Sequence, residues 1–346
     1  MTKREAVILG GLVAAVGVVF LLSLALGSTS IPLRRVIMAL IGTLPDEDTS
    51  GIVVTTIRLP RSVTAMLAGA SLAVAGLQMQ TLLRNPLADP FALGISSGAS
   101  LGVALVVLGS GYGAAAAFGN AMGMRGDALI TLAAIIGAAL VLGLVLVVSS
   151  RIANPTTVLI LGLMFGYAVS AIVTVLVGAS QPERLQQWAQ WGFGSFSGVT
   201  WQRLRLFGPL TFFGVLIASA TTKQLNALLL GESYARSMGL AVRRARLLTM
   251  LGASVLGAVV TAFCGPISFL GIAVPHLCRG LLGTSDHRAL VPAVVLMGSA
   301  VALVAQIVSL LPGSAGVLPL NAVTSLMGAP IVVAVLLRSR RGAFAG

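Results

Sequence analysis

The sequence is poor in charge. Of 346 residues only 9% are Asp, Glu, Lys or Arg, while 57% are hydrophobic and the mean hydropathy is +1.02. A soluble domain carries about 25% charged residues to cover its water-facing surface, so lipid must be the solvent for most of this chain. Lysine is confined to Lys3 and Lys223, each following a threonine. That excludes a P-loop, which needs Gly-Lys-Ser/Thr, and with it nucleotide binding of that kind. The only histidines, His276 and His287, form no His-Glu-x-x-His pair. The only cysteines, Cys264 and Cys278, lie in or beside apolar segments, with neither metal-ligand nor disulfide-framework spacing. No carboxylate stands near the middle of an apolar run. Carriers coupled to protons or sodium usually place ionisable groups there. The absence counts against an ion-coupled secondary transporter, the alternative reading of such a chain.

What is present is a series of charge-free runs, and a helix of about 20 apolar residues crosses a bilayer. The runs place spans at 6–27, 62–83, 92–109, 128–150, 156–179, 204–222, 247–264, 267–283, 289–311 and 319–337. Because further spans follow it, the first run is expected to stay as a helix rather than to be cleaved as a signal peptide. The net charge of +13 falls in short basic clusters between the runs. That is the pattern of cytoplasmic loops, not of a nucleic-acid surface. Lys3 and Arg4, the connector 223–246 with Arg236, Arg243, Arg244 and Arg246, and the tail with Arg338, Arg340 and Arg341 share one side only if the span count is even. Ten spans satisfy this, with a break at Gly265-Pro266. The expected fold is therefore all-α and polytopic, one transmembrane domain over 1–346 with both termini cytoplasmic. Met66-Leu-Ala-Gly-Ala-Ser71 and Met250-Leu-Gly-Ala-Ser254 open spans two and seven. These spans run in opposite directions, as inverted repeats do.

Two local features need weighing. Gly94-Ile-Ser-Ser-Gly98 matches Gly-x-Ser-x-Gly, but that nucleophile motif works on a strand-to-helix turn, and here it enters an apolar helix. Small-residue packing explains it better than an intramembrane enzyme using Ser96 or His276, and no catalytic residue is expected. In the connector, Gly231 and Gly239 each suit a helix end. They enclose a short piece with one acid, Glu232, and one base, Arg236. This is either a solvated connector or a rigid knob for a cytoplasmic partner that supplies the ATP hydrolysis this chain lacks.

Several segments, in order along most of the chain, resemble one family. They are Arg58-Leu-Pro-Arg61; Gly69-Ala-x-Leu-Ala-x-Ala-Gly76; Gln80 through Asn85-Pro-Leu-Ala-x-Pro90; Leu93-Gly-Ile-x-x-Gly98; Trp191-Gly-Phe-Gly-Ser-Phe-Ser-Gly198 with Trp201; Leu230-Gly-Glu through Ala235-Arg-Ser-Met-Gly239; Gly265-Pro-Ile-x-Phe-Leu-Gly271 with Val274-Pro-His276; Asp286-His-Arg288; and Gly328-Ala-Pro330. The chain is similar to the permease subunits of type II ABC importers, which take up ferric siderophores, haem and cobalamin. The resemblance implies a ten-helix subunit in the cell inner membrane, paired with a second copy or a paralogue around the translocation path. Two cytoplasmic ATPases, which hold ATP and magnesium, dock below, and an external solute-binding protein docks above. No cofactor or metal is implied for the chain itself. By the same resemblance Gly231, Glu232, Ala235, Arg236 and Gly239 contact the ATPase, and Arg58 and Arg61 meet acidic residues of the binding protein. Asn85 and Leu87, with Pro155 and Thr156 more loosely, belong to the cytoplasmic gate. Span five, with Gly162 and Gly166, lines the path. His276 is implied to be structural rather than a haem ligand. The pattern departs near span nine. An Ala-Asp-x-x-Ala-Arg common in the family reads Ala305-Gln-Ile-Val-Ser-Leu310 here, so both charges are gone from the outer face.

Overall fold

The computed structural model describes residues 2–45, 47–109, 126–149, 155–310 and 317–343. Among them every regular element is a helix. In chain order the α-helices of six residues or more are α1 (Lys3–Ala25), α2 (Leu33–Leu40), α3 (Leu59–Leu83), α4 (Ile95–Val107), α5 (Asp127–Ser149), α6 (Pro155–Gly178), α7 (Pro182–Gly192), α8 (Trp201–Ala220), α9 (Thr222–Leu229), α10 (Glu232–Ser237), α11 (Val242–Cys264), α12 (Leu270–Leu282), α13 (His287–Ser309) and α14 (Leu320–Ala343). Seven of them, α1, α3, α5, α6, α8, α11 and α13, are long and apolar enough to cross a membrane, while α4, α12 and α14 are apolar but carry shorter runs. These ten helices stand where ten spans are expected.

The short ones have a local cause. Instead of continuing α3 outward, the chain after Arg84 turns back, and Asp89 and Pro90 are buried against Gly271. A 3₁₀ turn, Pro90–Leu93, and a left-handed Gly94 then start α4 inside the bundle. α12 likewise begins after an extended break, at Phe269 with φ 69°.

α3 is the centre of the molecule. Every residue from Ala68 to Leu83 is buried, and α8, α11, α12 and α13 pack around it. In lipid no hydrophobic force drives apolar helices together, so close van der Waals contact through small residues must do so. A Cβ at Gly69 would lie 2.2 Å from the Gly298 carbonyl oxygen, and one at Gly76 would lie 1.9 Å from that of Gly271. The glycines of Gly69-x₆-Gly76 are thus the contact points with α13 and α12. α4 meets α5 the same way at Gly98 and Gly137. Just before α3, residues Val53–Arg58 form a widened π turn. Pro60 lacks the N–H that an α-helical ladder needs, and the wider turn accommodates that gap.

Gly76→Ala is expected to force α12 off α3 and lower the thermal midpoint in detergent, at a cost of about 1–3 kcal/mol. Gly10→Ala, where no atom lies within 4 Å, is expected to leave it unchanged. Equal midpoints for the two variants would contradict this packing.

Candidate functional site

The connector between α8 and α11 folds into two short helices with a glycine at each bend. Gly231 sits at φ 113°, ψ 150°, a conformation that a side chain disfavours, and it opens α10. Gly239 closes it at φ 82°. The Leu240 N–H donates to Ala235 O at 3.0 Å and the Gly239 N–H to Arg236 O at 2.9 Å, the paired closure that a left-handed glycine permits. Glu232, in the first turn, pairs with Arg236 one turn on at 3.4 Å and with Arg246 of α11. α10 is therefore tied to α11 through one carboxylate. Ala235 is fully buried and anchors the inner face, so it supports the knob without being presented. Tyr234 (53% exposed), Met238 and Leu230 face outward, a patch of large side chains on an otherwise polar connector.

The turn after α3 is held by its own side chain. Asn85 Oδ1 accepts the Leu87 N–H at 2.9 Å, which leaves Leu87 exposed at the tip. His276 Nε2 lies 2.8 Å from Pro86 O, so its ring ties α12 to this turn. Among the described residues no group of His, Cys, Asp and Glu could hold a metal. Pro155 and Thr156 open α6, but their side chains lie outside the described residues. Gly162 and Gly166 lie on the span whose small residues suit either the path or a close helix contact. A Cβ at Gly162 would lie 2.7 Å from Ala92 O, and one at Gly166 would lie 3.4 Å from Ser97 Oγ. Both are therefore contacts with the segment around α4, and the uncovered face of α6 carries Leu163, Met164 and Tyr167 instead.

Two groups were missed in the sequence. Asn226 on α9 bonds Asp286 and His287 at the start of α13, and His287 in turn meets Thr81 of α3 at 2.9 Å. Arg279 donates to Gln80 Oε1 at 2.6 Å beside Arg84 and Thr81, around a cavity of about 320 Å³. Asp-His-Arg at 286–288 reads as a helix cap, but nothing in the sequence pairs it with Asn226. The Arg288 N–H foremost, then the Asn226 amide, hold the Asp286 carboxyl below its ordinary pKa. With the folded value depressed, this cap contributes fully above about pH 4 and is lost as the pH falls through that folded value.

On the opposite face Arg58 is a correction. It was expected to point outward, but it is 7% exposed and its guanidinium turns inward. It donates to the carbonyls of Leu24 and Ala25 at 2.8 Å and to Thr29 O. The Leu24 and Ala25 carbonyls lie at the end of α1, where a cation also meets the negative end of the helix dipole; that of Ala25 also accepts the Ile31 N–H. Arg61, by contrast, has no hydrogen bond or ion pair among the described residues, and it borders a small crevice with Ser195, Ser197 and Gln306. Gln306, where the family often has Asp, donates to Ser62 Oγ, which also receives Ser23 Oγ–H. Arg203 is committed internally, to Asp127, Gly198 O and Thr131.

The chain matches the FecCD transport family over residues 15–338. It belongs to that family. It is 40% identical over 286 residues to the vitamin B12 import system permease protein BtuC of Klebsiella pneumoniae subsp. pneumoniae, covering 82% of each chain. Identity to the proteins of the same name from Citrobacter koseri and Salmonella typhi is 37%, over 82% of this chain and 83% of theirs. Its fold superposes with a TM-score of 0.81 on a solved inward-facing structure of a transporter provisionally typed as a metal-chelate ABC transporter. That match has 27% identity and covers 96% of this chain and 99% of the other. The FecCD chain is thus a multi-pass permease subunit of an ABC importer.

Arg58→Ala removes the side-chain donor from the Leu24 carbonyl, a loss of about 1–3 kcal/mol. Its thermal midpoint is expected to drop clearly, while that of Arg61→Ala stays within a degree or so. The reverse order would show Arg58 to be a free surface charge.

Proposed function

We propose that this permease passes a corrinoid or an iron chelate such as a ferric siderophore or haem, inward between two permease subunits, by ATP-driven alternating access. The observation that carries the reading is the connector. A six-residue helix is framed by two left-handed glycines, braced to α11 by Glu232, and presents Tyr234 and Met238 outward. That is a stiff lever, whereas a solvated loop would need neither the brace nor the apolar tip. The chain holds no P-loop, so the ATP and magnesium belong to two ATPase subunits docked on α10. α6 and α8 leave most of their apolar surface uncovered. A second permease copy or a paralogue covers part of it, and lipid covers the rest. Asn85 and Leu87 close the inner end of the path, and Leu163, Met164 and Tyr167 of α6 face it. At the outer mouth the binding protein meets Arg61. The B12 import relatives favour a corrinoid within the substrate class.

In a reconstituted complex with ATPase and binding protein, Glu232→Gln and Gly239→Val are expected to insert normally yet cut cyanocobalamin or ferric-siderophore uptake about tenfold. Normal uptake by both would remove α10 from the coupling role. Arg61→Glu is expected to slow association with the binding protein, most visibly at low salt. A salt-independent, unchanged on-rate would place docking elsewhere.

A further inference from the structure

A buried imidazole is one of the polar joints between the lower end of α3 and the ATPase-facing connector. His287 opens α13 and is 1% exposed. Its backbone N–H and its Nδ1 both lie against Asn226 Oδ1, at 2.9 and 2.8 Å. The Asn226 amide nitrogen donates to Asp286 Oδ1 at 2.6 Å, which fixes Oδ1 as the acceptor and so puts the ring proton on Nδ1. Nε2 is then an acceptor, 2.9 Å from the Thr81 hydroxyl, whose one proton has two acceptors at that distance, Nε2 and Leu77 O. Asn226 thus spends both ends of its amide on α13, and His287 spends both nitrogens on two other helices. Further bonds tie the same elements: Arg84 Nη2 donates to Leu228 O at 3.3 Å, and Gln78 Nε2 to Thr221 Oγ1 at 3.0 Å.

The positions on either side give this joint its meaning. α9, which carries Asn226, ends two residues before Gly231 and the first turn of α10. Leu225 and Leu228 are buried, and α9 also packs against α10, so displacement of α10 is passed to α9. Thr81 lies one turn before Asn85, whose side chain shapes the turn bearing Leu87. An apolar contact here could slide in small steps. A buried ring with both nitrogens bonded cannot, because sliding would leave buried polar groups without partners.

We propose that His287 is the positioning residue that carries motion of the ATPase-docking helix to the inner gate, through Asn226 on one side and Thr81 on the other. This rests on the coupling role assigned to α10. A physical link, unlike mere adjacency, requires that both ends bias one shared arrangement.

The test reads the gate itself and needs no transported solute. Leu87→Cys in the complex with its ATPase is labelled with a membrane-impermeant maleimide, with and without ATP and vanadate. Cys264 and Cys278 are buried and add little background. Nucleotide is expected to change the labelling rate of Leu87→Cys about fivefold or more. Adding Thr81→Val, which removes the hydroxyl at nearly constant volume, or Asn226→Leu is expected to bring that change below about twofold while ATP hydrolysis continues. Thr81→Ser restores it. The double variant is no worse than either single, since both cut one link. A full nucleotide response in Thr81→Val overturns the proposal, as does equal loss of response and hydrolysis in Thr81→Val with no rescue by Thr81→Ser. If Leu87→Cys alone shows no response, the coupling role of α10 fails first and this link falls with it.

Discussion

Backbone-to-backbone contact between α3 and its neighbours is the constraint on which the rest depends. Gly69 against Gly298 and Gly76 against Gly271 leave no room for a side chain, so α3, α12 and α13 lock as one unit. That unit sets the depth of the returning segment 84–94, and so the position of the turn at Asn85. It also fixes where α13 begins, and with it where His287 can reach. In a bilayer, where lipid competes equally for apolar surface, such contacts are the chief source of helix specificity. A bulky residue at these crossings would therefore disturb the Asn85 turn and the start of α13 together.

Charged groups are few, and several of them brace or cap helices. Nine carboxylates serve the whole chain. Glu232 braces α10, Asp286 caps α13, Asp48 caps the turn that leads into α3, and Asp127 pairs with Arg203. Arginines reach instead for carbonyls at helix ends: Arg58 at the end of α1, Arg84 at the end of α9. Carbonyls are acceptors that every helix end supplies. A chain with so few acids can bury a guanidinium there without a buried carboxylate to desolvate.

Much of this was legible in the sequence, because the signals were local. Charge-free runs coincide with the apolar helices, seven of them long enough to cross a membrane, and Gly231 and Gly239 frame the short helix between them. What was hidden depends on distant partners. Arg58 looks the same in sequence whether it faces solvent or the end of α1, and only the fold brings Leu24 and Ala25 to it. Gly162 and Gly166 sit in a span of the right kind, but helix rotation decides which face they occupy, and a run apolar on all sides carries no phase. Asn226, His287 and Thr81 lie 61 and 206 residues apart in chain separation from one bond to the next, so no periodicity could join them.

The account stands on α10 being the surface that the ATPase grips. Cross-linking tests this most directly. Tyr234→Cys, in the complex with an ATPase carrying single cysteines over its membrane-facing surface, is predicted to give a short-span cross-link to the ATPase, with no reaction toward an impermeant reagent added outside intact cells. Labelling of Tyr234→Cys from outside, with no cross-link to the ATPase, would contradict it.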